Sequence, residues 1–102
     1  MFGMDIMKQV QQMQEKMVTL QGELAGKTLT GSSGGGMVAV TCNGKQEILR
    51  VCIDKVLVES GDVTMLEDLV LAAVNDALGR SRELMGEEMR AITGGISIPG
   101  LF

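Results

Sequence analysis

The stretch that decides the fold is residues 30–54, TGSSGGGMVAVTCNGKQEILRVCID. It contains a glycine-rich segment followed by two short apolar runs that meet at Asn43-Gly44. Asn-Gly between two such runs is typical of a β-hairpin, because a type I′ turn needs positive φ at both central residues. A two-residue loop would place Val38 opposite Leu49 and Val40 opposite Glu47.

Alternation along the two strands divides the hairpin into an apolar face and a mixed face. The apolar face is expected to lie on the core and carries Val38, Val40, Cys42, Leu49, Val51 and Ile53. The other face carries Arg50 and Cys52 and is expected to be wetter. Residues 27–32, with two β-branched threonines, predict a further short strand. Together these strands predict one antiparallel sheet over residues 27–54.

A long helix is expected over residues 5–25, with Asp5 as its N-cap. Apolar residues recur there at alternating intervals of four and three, at Ile6, Val10, Met13, Met17, Leu20 and Leu24. This 3.5-residue repeat is typical of a coiled-coil seam. Because the stripe is narrow and apolar, the helix needs a partner helix to cover it.

A second long helix is expected over residues 64–92, where Thr64 and Glu67 match a capping box. Its first half is apolar around much of its circumference, which predicts burial against the sheet. Its second half alternates in charge and has a thin apolar stripe, so it is expected to project as an arm. Residues 93–102 contain the one proline and are expected to form a flexible tail. The predicted fold class is α+β, a single αβββα domain.

Length and composition fit one soluble domain, with 102 residues, 45% of them hydrophobic and 22% charged. The apolar runs are far shorter than the roughly 20 residues of a membrane span, and no signal peptide is recognisable. Cys42 and Cys52 are expected on opposite faces of the hairpin, so they should not form a disulfide. These observations predict a reduced, cytoplasmic location without membrane attachment.

The residues argue against catalysis and against a bound metal or cofactor. The chain has no histidine, so a serine or cysteine nucleophile would lack its usual base and a metal its commonest ligand. The formal net charge of −4 also argues against strong general attraction to polyanions. We therefore expect no enzyme, no cofactor and no small-molecule substrate.

Several segments, taken in order, resemble the YbaB/EbfC family of bacterial nucleoid-associated proteins. They are MKQVQQMQEKM, TGSSGGGMVAVTCNGK, LRVCID, MLEDLVLAAVNDA and the closing Pro99-Gly100 with Phe102. The resemblance implies a homodimer whose first and last helices project like the arms of tweezers. It also implies that these arms bind double-stranded DNA with little or modest sequence preference, in the nucleoid, with a role in nucleoid organisation and gene regulation.

The resemblance makes the basic residues of the arms the predicted DNA contacts: Lys8, Lys16, Arg80, Arg82 and Arg90. Gly86 and Glu88 stand where the family often has basic residues, and Arg82 and Arg90 are nearby substitutes. A protein-interaction adaptor is the alternative, in which the Met- and Gln-rich arms hold another helix in a groove. Salt separates the two functions, because phosphate-driven binding weakens steeply with ionic strength.

Overall fold

The structure is a computed structural model that describes residues 2–93, with side-chain surroundings for residues 5–91. Its elements are α1 (Phe2–Gly26), β1 (Thr28–Ser33), β2 (Val38–Asn43), β3 (Ile48–Ile53), α2 (Lys55–Glu59) and α3 (Val63–Thr93). The strands form one sheet in the order β1-β2-β3, and both pairs are antiparallel. The predicted α+β architecture is confirmed. The predicted tail lies outside the described residues, except for Thr93.

The helix starts differ from the predicted caps. α1 begins at Phe2, which places Asp5 within the first turn rather than at the N-cap. α3 begins at Val63, and the backbone N–H of Met65 donates to Asp62 Oδ1 at 3.0 Å. Asp62 is therefore the capping side chain, and the predicted capping box at Thr64 is wrong.

A short helix that the sequence analysis missed, α2, lies between the sheet and α3. Its N-cap is Asp54, whose Oδ1 accepts from the backbone N–H of Val56 at 2.9 Å. Leu57 is the buried residue of this helix. Five residues are too few to show a helical period, so only the cap at Asp54 could have indicated it.

The turn between β2 and β3 is longer than predicted. Asn43 Oδ1 accepts from the backbone N–H groups of Lys45 and Glu47, at 2.9 and 3.1 Å. Gln46, not Gly44, adopts a positive φ, of 64°. The loop therefore has three residues and ends in a left-handed position, and the predicted type I′ turn is wrong. The asparagine side chain decides this, because it satisfies backbone donors across the turn.

Gly44 is needed for a different reason, the close approach of α1. A Cβ on Gly44 would lie 2.8 Å from Leu24 Cδ2 and 2.9 Å from the Leu24 carbonyl oxygen. The backbone N–H of Gly44 donates to that same carbonyl at 2.8 Å. The hairpin turn is thus held directly against the end of α1.

The longer turn also changes the pairing of β2 with β3. Val38 lies opposite Ile53 and Val40 opposite Val51, and a register shift between Thr41 and Cys42 leaves Leu49 without a direct partner. The predicted pairing is therefore wrong by four residues. Side chains alternate between the two faces of a strand, so a shift by an even number of residues leaves Val51 and Ile53 on the apolar face.

The core forms where α3 packs on β1 and β2. Its buried members are Val38, Val40, Cys42, Leu57, Ala73 and Ala77. The close approach depends on Gly31, where a Cβ would lie 2.2 Å from the backbone nitrogen of Ala77 and 2.7 Å from the carbonyl oxygen of Ala73. One turn further along α3, buried Ser81 donates to the carbonyl of Asn43 at 2.8 Å. Small residues spaced four apart on α3 therefore set its distance from the sheet.

β3 is left uncovered, contrary to the prediction for the apolar face. All six residues of β3 are exposed, including Val51 at 45% and Ile53 at 38%. The reason is that α3 covers the sheet only over β1 and β2. One half of the apolar face is thus the core of this chain, and the other half is open.

α1 leaves the core along most of its length. Leu20 and Leu24 are buried, whereas Ile6, Val10 and Met13 of the same seam are exposed. The molecule is accordingly elongated, with principal extents of 70 × 23 × 16 Å. Lys8 and Lys16 lie on the part of α1 that leaves the core.

Candidate nucleic-acid interface

The two predicted contact residues on α1, Lys8 and Lys16, are both exposed. Neither forms an ion pair with a side chain in the part of the chain that the structure describes. They differ in surroundings, since Lys16 lines a cleft between α1 and α3 and Lys8 does not. Both ammonium groups are free to move on long side chains, as contacts to phosphate require.

The three predicted contact residues on α3 are exposed and line two adjoining depressions along that helix. Arg82 and Arg90 line a shallow depression together with Glu83 and Glu87. Arg80 lines the adjoining depression, which shares Gly79 and Glu83 with the first. The arginines therefore form a single surface, which we call the arginine face, defined by Arg80, Arg82 and Arg90.

The charge of the arginine face is balanced by carboxylates. Arg80 Nε lies 3.4 Å from Asp76 Oδ1, one helical turn away. Asp76 also accepts from the backbone N–H of Ser32 at 3.0 Å. The Ser32 hydrogen bond, aided by the charge of Arg80, lowers the pKa of Asp76. Asp76 thus connects the arginine face to the edge of β1.

The cleft between α1 and the end of α3 has a volume of about 530 Å³. Its charged residues are Lys16 and three carboxylates, Glu15, Glu23 and Glu88. A phosphate backbone in this cleft would meet more negative than positive charge. Of the five predicted residues, the structure brings only Lys16 into the cleft, while the arginine face lies elsewhere on α3.

An ion pair that sequence reasoning missed involves Glu88 of this cleft. Lys27 Nζ lies 2.6 Å from Glu88 Oε1. Hydrogen bonding to Glu88 raises the pKa of Lys27, and the charges of Glu88 and Glu23 act in the same direction. The two residues are far apart in the sequence, so no local spacing could have indicated the pair. Glu88, at a position where a basic residue was expected, therefore neutralises a lysine.

The remaining reactive groups do not form a site. Cys42 is buried and donates to the carbonyl of Ala77 at 3.3 Å, and burial raises the pKa of its thiol. Cys52 is exposed, and neither cysteine is in a disulfide. Among the described residues, no group of three Cys, Asp or Glu side chains could hold a metal ion. Nor is any helix in that part of the chain both long and apolar enough to cross a membrane.

Comparison with known proteins identifies the family to which this chain belongs. The model of the YbaB/EbfC DNA-binding family matches residues 1–96. The chain belongs to that family. YbaB/EbfC proteins are not enzymes, so the expectation of no catalysis is confirmed.

Curated YbaB/EbfC relatives are similar over almost their whole length. A nucleoid-associated protein of Syntrophobacter fumaroxidans is 52% identical over 99 residues, 97% of this chain and 90% of that protein. Nucleoid-associated protein TTE0040 of Caldanaerobacter subterraneus is 51% identical over 98 residues, which are 96% of this chain and 88% of that protein. Nucleoid-associated protein amb4104 of Paramagnetospirillum magneticum is 52% identical over 95 residues, which are 93% of this chain and 89% of that protein.

A solved structure has the same fold. The crystal structure of the uncharacterized protein HP0035 from Helicobacter pylori matches with a TM-score of 0.80 and 26% sequence identity. The match covers 87% of this chain and 94% of that one. The family and its αβββα fold, both predicted from the sequence, are therefore confirmed. The five contact residues stay a prediction.

Proposed function

We propose that the protein is a nucleoid-associated homodimer that binds double-stranded DNA without sequence specificity, or with a modest preference, through its helical arms. The observation that carries the proposal is the arginine face of α3, exposed on an arm of a chain from a DNA-binding family. Lys8 and Lys16 on α1 add two further exposed cations. The consequence would be a role in nucleoid organisation and gene regulation, without a cofactor.

Binding would be electrostatic and tolerant of sequence. The only aromatic residues are Phe2 and Phe102, near the two ends of the sequence, so the chain lacks a series of aromatic side chains on which successive bases could stack. Long basic side chains that contact phosphates fix a protein on a duplex but carry no sequence information. Because acidic residues share the arginine face, we expect a dissociation constant on the order of micromolar at physiological salt.

The outer surface of the arms suits DNA better than the cleft within one protomer. The cleft contains three carboxylates and one lysine. The arginine face lies outside the cleft, exposed on α3. In a dimer, two copies of this face would be available, so one duplex could contact both arms.

Support for the dimer comes from the open half of the sheet. Val51 and Ile53 are paired with buried residues of β2 and are themselves exposed. On α3, Asp76 reaches β1, and Leu71 lies about 140° around the helix from it, on the side towards β3. Leu71 is 61% exposed. The open strand and Leu71 are thus uncovered apolar surface next to the core, which we call the apolar groove.

A second copy of α3 would fill this groove. Two-fold symmetry would place each α3 over the β3 of its partner, so that both grooves are covered at once. Four further exposed apolar residues on α2 and at the start of α3 add to the uncovered surface of the protomer: Val56, Val58, Val63 and Met65. Apolar surface as extensive as this is uncommon on proteins that remain monomeric.

A binding titration at two salt concentrations tests the proposal. Arg82→Glu, on the arginine face, should weaken binding to a labelled duplex and flatten the dependence of log K on log salt. Lys45→Glu is the matched control, because Lys45 is an exposed lysine at the hairpin turn, away from the arms. Equal weakening by both substitutions would show that the arms are not the site.

The same titration separates DNA binding from an adaptor function. The exposed seam of α1 is the observation that favours an adaptor, since another helix could lie along it. Apolar binding of a helix would persist at high salt, whereas phosphate binding would not. Absence of salt-dependent DNA binding even at low ionic strength would reject the DNA-binding proposal in favour of the adaptor.

A further inference from the structure

Lys27 is an exposed lysine whose charge is already paired within the protein. Its Nζ lies 2.6 Å from Glu88 Oε1, and the side chains of Lys27 and Glu88 are 47% and 28% exposed. The hydrogen bond to Glu88 raises the pKa of Lys27, and the charge of Glu23 acts in the same direction. A carboxylate oxygen at this distance occupies the place that a phosphate oxygen would take on a free lysine.

The backbone of Lys27 is fixed on both sides by hydrogen bonds. Its N–H donates to the carbonyl of Leu24 at 3.2 Å, and its carbonyl accepts from the N–H of Gly44 at 3.1 Å. These bonds join Lys27 to the end of α1 and to the hairpin turn. The Lys27 side chain therefore starts from a fixed point, and its ammonium group could exchange Glu88 for another anion without movement of the sheet.

The ion pair lies at the same level of α3 as Arg90, on the other side of that helix. Glu88 precedes Arg90 by two residues, which corresponds to about 3 Å along the helix axis and about 160° around it. Arg90 belongs to the arginine face, whereas Glu88 faces the cleft with α1. A free Lys27 would therefore present positive charge on the side of α3 away from Arg90, where the structure now has a neutral pair.

We propose that Lys27 is a phosphate-binding residue masked by Glu88, so that Glu88 limits the affinity of the protein for DNA. The inference rests on the proposed function, because the phosphate is that of the bound duplex. Solvent screens a partly exposed ion pair, so a phosphate can replace the Glu88 carboxylate at small cost. The displaced carboxylate then lies beside the duplex and repels it. Removal of the Glu88 charge should therefore strengthen binding.

Fluorescence anisotropy of a labelled duplex, measured with the full chain at several salt concentrations, tests the masking. Glu88→Gln should bind more tightly, and its slope of log K against log salt should steepen by roughly one unit for each arm that contacts the duplex. Lys27→Gln breaks the same ion pair without releasing a cation, so it should not strengthen binding. Lys27→Gln combined with Glu88→Gln should lose the whole gain.

Glu87→Gln is the matched control for the loss of negative charge. It removes a carboxylate from the arginine face, one residue from Glu88. Any change in affinity that it causes should be the same with and without Lys27→Gln, because Glu87 does not mask Lys27. A gain from Glu88→Gln that persisted without Lys27 would reflect total charge alone and would overturn the inference.

Two further outcomes separate the inference from the function on which it rests. Stronger binding by Lys27→Gln alone would assign the effect to movement of the arm and overturn the masking. Salt-dependent binding by the unaltered protein that Glu88→Gln left unchanged would also overturn the masking, while DNA binding itself would stand. Absence of binding by every variant at low ionic strength would overturn both.

Discussion

Lys27 and Glu88 are joined by an ion pair of 2.6 Å between Nζ and Oε1, although 61 residues separate them. Lys27 lies between α1 and β1, and Glu88 lies on the projecting part of α3. Both side chains are partly exposed, so solvent screens their attraction and the pair adds little to stability. Its main effect is positional, because it ties the arm of α3 to the end of α1.

The first prediction concerns the pH dependence of this pair. The pKa of Lys27 is raised in the folded protein by the hydrogen bond to Glu88. Its contribution to stability is therefore full below the unfolded pKa, about 10.4, and is lost as the pH rises through the folded value. Glu88→Gln should remove this loss, so the midpoint of thermal unfolding should fall less between pH 9 and 12 than in the unaltered protein.

Glu87→Gln is the matched control for this experiment. It removes a neighbouring exposed carboxylate that lies on the arginine face, away from Lys27. Its alkaline pH dependence should match that of the unaltered protein. A variant at Glu87 that behaved like Glu88→Gln would contradict the assignment to the ion pair.

The second prediction concerns the contact between β1 and α3. Gly31→Ala places a Cβ within 2.2 Å of the backbone of Ala77, where neither element can move without separating helix and sheet. We expect a loss of about 3 kcal/mol or more in the free energy of unfolding, measured by urea titration. Gly22→Ala, in α1 with nothing within 4 Å of the new Cβ, should instead stabilise by about 0.5–1 kcal/mol. Equal effects of the two substitutions would contradict the close packing at Gly31.

The third prediction concerns the open half of the sheet. Val51→Asp puts a charge in the apolar groove over β3, where burial of an unpaired carboxylate opposes association. Sedimentation at micromolar concentration should show a dimer for the unaltered protein and a monomer for this variant. Cys52→Asp, one residue further along the strand on its other face, should remain dimeric. A dimer that tolerated Val51→Asp would exclude the groove as the interface.

The fourth prediction concerns the arginine face. Arg82→Gln removes an exposed cation from each arm, so in a dimer the slope of log K against log salt should flatten by roughly two units. Lys45→Gln removes an exposed lysine from the hairpin turn and should leave the slope unchanged. Fluorescence anisotropy with a labelled duplex at several salt concentrations measures both slopes. An unchanged slope for Arg82→Gln would remove α3 from the predicted site.

Periodicity in the sequence predicted the elements well because each pattern is local. The 3.5-residue seam of α1, the alternation in β2 and β3 and the apolar first half of α3 each required only neighbouring residues. The turn at Asn43 was harder, because the asparagine side chain bonds backbone groups up to four residues away and lengthens the loop. The start of α3 was also misplaced, because the prediction took Thr64 as the cap and the structure uses Asp62.

The candidate site was predicted only as a set of charges. The sequence indicated which side chains are basic and that they lie on projecting helices. It could not indicate that Arg80, Arg82 and Arg90 share a surface apart from the cleft, or that the cleft is mainly acidic. These arrangements depend on how α1 and α3 lie relative to each other, and residues from both ends of the chain contribute to them.

The sequence by itself determined the family, the order of the two long helices and three strands, and the apolar faces, because these follow from residue type and short-range spacing. Only the tertiary structure decided that α3 covers two strands and leaves β3 open, and that Lys27 is neutralised by Glu88. The physical reason is close packing. Gly31 and the small residues of α3 bring that helix against β1 and β2 at one distance and one position, and β3 beside them therefore stays uncovered.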